Sequence, residues 1–447
     1  MKIDEINRIL NSRSVKDFTD WSERHLVYYH GFLPSIIEEG KGATLRDVTG
    51  KEYLDFASIV VSVNVGHGDK RVTDAMKEQL DLMTSTTGTF LNVPEVKLAK
   101  LVAEITPEKL TRSFFLTSGS EAVELAIKTA RRYTGKLNIF SRWGGYHGNT
   151  PGALSASGAA LYKRIYDPVV PGFLKIPPPY CYRCDFGLEY PDCGIVCAKV
   201  LDSAIVYEHP DTVAAVIAEP IIGGGGAVVP PDEYIPELRK ICDEHGVLLI
   251  LDEVITGFGR TGKMFCCEHY GVTPDVMSVA KGIGSSYVPL SAVITKDEIA
   301  EGVADHTKGV HFSTYGNHPL SCAAALANIK VIIEDKLVEN AARMGEYCLK
   351  ALKDMVEESP VLGEARGKGL LLGVEIVKDK ETKTPDLDLG MSIRQKALEK
   401  GLYFSLSRIR MKDAVIMVFG PPLNITKEQV DRALEIFDSA VKEAQAE

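Results

Sequence analysis

Three observations in the 447-residue chain predict an α/β fold with a mostly parallel sheet wrapped by helices. Between about residues 72 and 325, strand-like apolar runs alternate with helical patterns. The runs VAAVIAEP (213–220) and VLLILDEV (247–254) are apolar almost throughout, as strands covered on both faces require. Small and charged residues gather where such runs end, which is where open parallel sheets place their ligands.

Taken in order, residues 42–65 read as short strands around the Thr49-Gly50 turn. The alternating region comes next: FFLT then SEAVELAIKTARRY, VAAVIAEP then EYIPELRKICDEHG, VLLILDEV, and VMSVAK before another short apolar run. After residue 326 the spacing predicts a helix over 328–358, the strand GLLLGVEIV, a helix over 389–400, the strand AVIMVFG and a last helix. Thr426 and Gln429 form a capping-box pattern for that helix, with Val430, Leu434, Phe437 and Val441 along one face. The division expected is an N-terminal segment over 1–65 that joins the small domain, a large domain over 66–325 and a C-terminal small α/β domain over 326–447.

Composition bounds the function. A net charge of −10 and 45% hydrophobic residues describe an ordinary globular protein with no basic footprint, so neither nucleic acid nor an anionic membrane surface is an expected partner. No window has the length and apolarity of a bilayer span, and MKIDEINRILNSRSV is not a secretory leader. A soluble, cytoplasmic protein is expected. Nine cysteines in so long a chain do not make a disulfide scaffold; Cys242, Cys266, Cys267, Cys322 and Cys348 sit where small apolar residues would serve and are expected in the core.

Three strand ends carry candidate chemistry. The Ser118-Gly119-Ser120 turn before a helix exposes successive backbone N–H groups and suits a phosphate; the alternative is an ordinary capped helix. Asp252 ends a strand that reads as buried, so it either pairs with an arginine such as Arg260 or keeps a ligand's ring nitrogen protonated, with Val254 facing the same side. Lys281, between an apolar run and a glycine, either snorkels to water or is a desolvated amine of lowered pKa, able to form a Schiff base. A phosphate cradle, an acid and a desolvated lysine together meet the requirements of pyridoxal phosphate.

The string LILDEVITGFGRTGKMF, with Lys281 in AKGI 29 residues after Asp252, resembles the class III aminotransferases. The likeness runs over nearly the whole chain: GKEYLDF, NVGHG, TSGSEAVELAIKTAR, GGYHGNT, AEPIIGGGG, HFSTYGNHP, RGKGLLLGVEI and a final PPL. The resemblance implies the fold type I of pyridoxal 5'-phosphate enzymes and a ping-pong transfer of an amino group from a donor to a keto-acid acceptor. It implies a homodimer, or a tetramer, with active sites at the subunit interface. Position by position, it makes Lys281 the lysine that binds the cofactor aldehyde and moves the proton, Asp252 the partner of the pyridine nitrogen and Val254 the aliphatic residue under the ring. Ser118, Gly119 and Ser120 match the phosphate-binding turn, Tyr146 the aromatic on the other ring face, and His147 its neighbour. Glu219 matches the glutamate of the EP motif, and Thr314 the residue that reaches the phosphate of the neighbouring subunit.

Departures from the family pattern narrow the substrate. Where 4-aminobutyrate and ornithine enzymes carry a glutamate that masks a mobile arginine, this chain has Gly224, so it resembles instead the ω-amino acid and amine transaminases, with pyruvate or 2-oxoglutarate as acceptor. Arg410, with Arg408 as competitor, lies near the place of the arginine that takes the substrate's carboxylate or sulfonate, which fits β-alanine- or taurine-like donors. Val61 holds a place that is a large aromatic in some amine transaminases. The insert PPPYCYRCDFGLEYPDCGIVCAK spaces Cys181, Cys184, Cys193 and Cys197 as C-x2-C-x8-C-x3-C, either a structural zinc site or a packed loop of reduced thiols. An amino-acid racemase or epimerase and an amino-alcohol phosphate phospho-lyase share the scaffold and are the alternatives. A dinucleotide-binding domain predicts a G-x-G-x-x-G turn that Ser118-Gly119-Ser120 does not supply.

Overall fold

The computed structural model describes residues 3–27, 35–86, 90–304, 311–407 and 413–447. Seven strands form the central sheet, in spatial order Arg112–Leu116, Ser291–Thr295, Val276–Val279, Leu248–Asp252, Val213–Ala218, Asn138–Arg142 and Phe173–Ile176. Only Ser291–Thr295 runs against the others, pairing antiparallel on both sides; the remaining registers are parallel. Every residue of Val213–Ala218 is buried, as expected of a strand with helices over both faces.

Among the described residues, two four-stranded sheets flank this core. Ile37–Lys41, Thr44–Asp47 and Glu52–Asp55 form a meander that Leu402–Tyr403 extends in parallel, so N-terminal and C-terminal segments share one sheet. The other sheet joins Leu362–Lys368, Leu371–Ile376, Ile416–Phe419 and Ser405–Ser407. The last helix, Lys427–Gln445, starts on the predicted Thr426 and Gln429 capping box and buries Val430, Leu434, Phe437 and Val441.

Two local expectations need correction. The single helix over 328–358 is two, Pro319–Glu334 and Leu337–Glu358, because Lys336 turns left-handed (φ 52) beside Asp335, which Arg71 holds at 2.6 Å. Residues beyond Asp55 leave the sheet: Ser58–Val61 is a helical turn with Ser58, Ile59 and Val61 at positive φ, anchored where the Asp55 carboxylate accepts from the N–H groups of Ala57 and Ile59. The five cysteines expected in the core are buried there.

The helix Leu337–Glu358 lies so close to the following hairpin that a Cβ on Gly345 would stand 2.1 Å from the Gly369 carbonyl oxygen. Gly345→Ala is therefore expected to destabilise the protein by about 1–3 kcal/mol through overpacking. Denaturant unfolding of the variant against the parent checks this.

Candidate active site

All the sequence-predicted residues of the large sheet converge. A cavity of about 410 Å³ opens at the carboxyl ends of the parallel strands and is lined by Ser118, Gly119, Ser120, Tyr146, His147, Glu219, Asp252, Val254 and Lys281 among others. Each follows a strand running in the common direction: Ser118 after Leu116, Tyr146 after Arg142, Glu219 after Ala218, Asp252 closing its own strand and Lys281 after Val279. Parallel strands bring these ends together although they lie far apart in the chain.

Asp252 is only 4% exposed. Its Oδ2 meets His147 Nδ1 at 2.7 Å and its Oδ1 accepts from the Val254 N–H at 3.1 Å. Arg260 is not its partner, because that guanidinium donates to Leu370 O, Pro421 O and Asn64 Oδ1. His147 is placed by its own N–H, which donates to Ser157 Oγ at 2.8 Å. Glu219, on the neighbouring strand end, accepts from the N–H groups of Tyr146 (3.0 Å) and Gly223 (2.9 Å), and burial raises its carboxyl above the ordinary value. The EP loop thus folds back on its own glutamate.

Lys281 sits in a short 3₁₀ turn, Lys281–Ile283, at φ 47. Burial lowers its amine to about 8; Asp252 and Glu219 oppose that shift and Arg260 adds to it. The expected desolvated amine is present, with its neutral form accessible near physiological pH.

Across the cavity, Ser118 caps the helix Gly119–Thr134 by accepting from Glu121 N–H (3.2 Å), and Ser120 Oγ accepts from Asn149 N–H (3.1 Å). The two hydroxyls are thus engaged within the protein, while the N–H groups of Gly119 and Ser120, which open the helix on the cavity, have no intrahelical acceptor, the arrangement that suits an anion. A Cβ on Gly119 would come within 3.1 Å of Val254 Cγ1, so glycine there lets the turn pack on the valine. Tyr146 leans on Tyr162, ring centroids 5.1 Å apart.

Other expectations are placed differently. Val61 does not line the cavity; it is buried against Gly420, and Val60 and Ser62 present themselves instead, because the helical turn rather than a strand sets the phase of these side chains. Thr314 is exposed and outside the cavity lining. Arg408 and Arg410 lie outside the described residues. Cys181, Cys184, Cys193 and Cys197 border one small pocket of about 20 Å³, and among the described residues no group of three or more His, Cys, Asp or Glu side chains is placed to hold a metal ion. Sequence reasoning missed Thr117, Ile255 and the 286–290 wall of Ser286, Val288, Pro289 and Leu290. No motif marks that wall, although its closeness to Lys281 in the chain was a usable signal.

An α/β protein with an amine of lowered pKa, a paired acid and a Ser-Gly-Ser helix start on one cavity is what this geometry defines. The class-III aminotransferase profile matches residues 28–441, and the chain belongs to that family. It is 40% identical over 373 residues to a taurine–pyruvate aminotransferase of Bilophila wadsworthia, covering 81% of each chain. It is 38% identical over 416 residues to a leucine/methionine racemase of Thermococcus litoralis, covering 93% of this chain and 92% of the relative. Among solved structures, an amine transaminase from an uncultivated Pseudomonas species in its PLP-bound form superposes with a TM-score of 0.89 at 32% identity, over 94% of this chain and 99% of that one. The protein is a pyridoxal 5'-phosphate-dependent enzyme acting on small molecules. The residues present fit that cofactor: the Ser118–Ser120 helix start, the Asp252–His147 pair and the Lys281 amine line one cavity. No helix among the described residues is long and apolar enough to cross a membrane.

Removing the imidazole leaves the buried Asp252 carboxyl without its shortest hydrogen-bond contact, so His147→Ala is expected to cost about 1–3 kcal/mol of stability in the cofactor-free protein. Thermal and denaturant unfolding of the two cofactor-free proteins measures it.

Proposed function

We propose that the protein moves the amino group of an ω-amino acid, a taurine-like compound or an amine to a keto acid, pyruvate or 2-oxoglutarate, in a ping-pong cycle. The observation that carries this reading is the meeting of Lys281, the Asp252–His147 pair and the Ser118–Ser120 turn on one cavity. Bound pyridoxal phosphate supplies an electron sink that stabilises negative charge on the substrate carbon.

The chain's own residues do the rest. Lys281 would hold the cofactor, and its Nζ would move the proton at the reacting carbon, a role suited to an amine near 8. Asp252, oriented by His147, would hold a proton on the ring nitrogen. Val254 and Tyr146 would pack against the ring, and the Gly119 and Ser120 N–H groups beside Ser118 would take the phosphate. Glu219 fixes the Tyr146 backbone and the Gly223 turn together. Arg410 receives the donor's carboxylate or sulfonate. Gly224 leaves no carboxylate at that point of the loop to mask such an arginine.

A homodimer completes the site, with Thr314 reaching the partner's phosphate. The exposed Thr314 and its exposed apolar neighbours Phe312 and Tyr315 support this, as do Phe90 and Leu91. The proposed domain limits remain 65/66 and 325/326, which leave Lys281 and Asp252 in the large domain.

A racemase or epimerase is the second reading, favoured by the likeness to the Thermococcus enzyme over 92% of its length. It differs only in the step after proton removal, because racemisation consumes no acceptor.

The test is a panel of amines, ω-amino acids, taurine and leucine, each with pyruvate, with 2-oxoglutarate and with no acceptor. Acceptor-dependent formation of alanine or glutamate is the expected outcome; inversion of leucine without acceptor would replace the transferase reading by the racemase one. Borohydride treatment of the cofactor-loaded protein is expected to fix the cofactor on Lys281, read by peptide mass spectrometry. Asp252→Asn is expected to lower kcat by roughly 10²-fold or more, since the fixed charge that stabilises the developing carbanion is lost. Steady-state kinetics with the best donor checks it.

A further inference from the structure

Arg260 is fully buried, yet among the described residues no carboxylate is in ion-pair contact with it. Its Nη1 donates to the carbonyl oxygens of Leu370 (3.0 Å) and Pro421, its Nη2 donates to Asn64 Oδ1 at 3.0 Å, and its Nε has no partner. Desolvating a cation against neutral acceptors alone is costly, and a clamp serving only to join segments needs no charge.

The residue that receives Nη2 leads to the turn carrying Lys281. Asn64 Nδ2 donates to Phe258 O at 2.8 Å, and the same amide presses on the turn so closely that a Cβ on Gly282 would stand 2.5 Å from it. The N–H groups of Asn64 and Val65 both donate to Ser285 Oγ at 3.1 Å, and Asn328 Nδ2 grips the carbonyls of Gly282 (2.8 Å) and Ile283 (2.9 Å). The turn needs such holding, because Lys281, Ser285 and Ser286 all have positive φ, a conformation that costs non-glycine residues of order 1–3 kcal/mol each.

We infer that Arg260 is a positioning residue for Lys281: through Asn64 it holds the turn that bears the lysine, and it keeps a buried positive charge, unpaired by any described carboxylate, beside that turn. The inference rests on Lys281 being the reacting amine of the proposed function. Two carboxylates, Asp252 with His147 against it and Glu219, act on the same amine and favour its charged form; the guanidinium acts against them. Asp55 faces the guanidinium through space but is committed to His67 at 2.9 Å and to the N–H groups of Ala57 and Ile59. Burial brings the guanidinium down to about 9, which leaves it cationic at neutral pH. Without that charge the carboxylates dominate and the lysine stays protonated to higher pH.

Competitive acetylation of the full-length, cofactor-free protein over a pH series, quantified at Lys281 by mass spectrometry against an exposed lysine, reads the amine directly. The parent midpoint is expected near about 8. Arg260→Gln, which keeps hydrogen-bonding capacity and loses the charge, is expected to raise the midpoint by about one unit, and Arg260→Lys to restore most of it. An Arg260→Gln protein with parental circular dichroism and a parental midpoint overturns the inference. If Arg260→Gln does not fold, Arg260→Met removes the charge while keeping a long side chain; a higher midpoint is expected, and an unmoved one overturns the inference equally. Failure of the function reading shows elsewhere, as borohydride labelling that misses Lys281 in the cofactor-loaded protein.

Discussion

A carboxylate closing a strand that is buried on both faces is the constraint around which the site is arranged. Leaving Asp252 without partners would cost several kcal/mol, and the chain meets that cost with one imidazole and one backbone N–H. The imidazole has to come from the loop after Asn138–Arg142, so pairing Asp252 also brings Tyr146 to the cavity. Glu219, on the adjoining strand, then ties the Tyr146 backbone to the Gly223 turn. Two buried acids therefore organise the loops above the sheet.

The same desolvation acts with opposite sign on acid and base. It raises Glu219 and lowers Lys281, which moves both groups toward the pH range where proton transfer is useful. Other buried charges serve the frame. Glu253, next to Asp252, accepts from Thr256 Oγ1 and from the N–H groups of Cys266 and Cys267, and so anchors the loop after the strand. Arg142 donates to the Glu219 carbonyl and lies over the Tyr234 ring at 5.7 Å. Adjacent acidic residues in one motif thus have separate work, one facing the cavity and one facing the scaffold.

Much of this was legible in the sequence, for identifiable reasons. Strand and helix periods, the Thr426 cap and the buried cysteines depend on neighbours a few residues away, and the structure bears them out. Lys281, Asp252 and the Ser118–Ser120 turn were legible because charged or small residues at the ends of apolar runs contradict local burial. The places that failed have long-range causes. Ser58–Val61 reads as strand by its β-branched composition, but contacts from Asp55 and the sheet edge turn it into a helical kink, so Val60 rather than Val61 reaches the cavity. The break at Lys336 depends in part on Arg71, distant in sequence.

By itself the sequence determined the α/β class and the family and marked the candidate reactive groups, since those derive from local pattern and residue chemistry. Only the tertiary structure decided which groups face one another: that Asp252 pairs with His147 and not Arg260, and that Arg260 instead joins Asn64 to the C-terminal segments. Pairing of buried charges is settled by which strand ends lie side by side, and strand order is a property of the whole sheet that no single stretch of chain encodes.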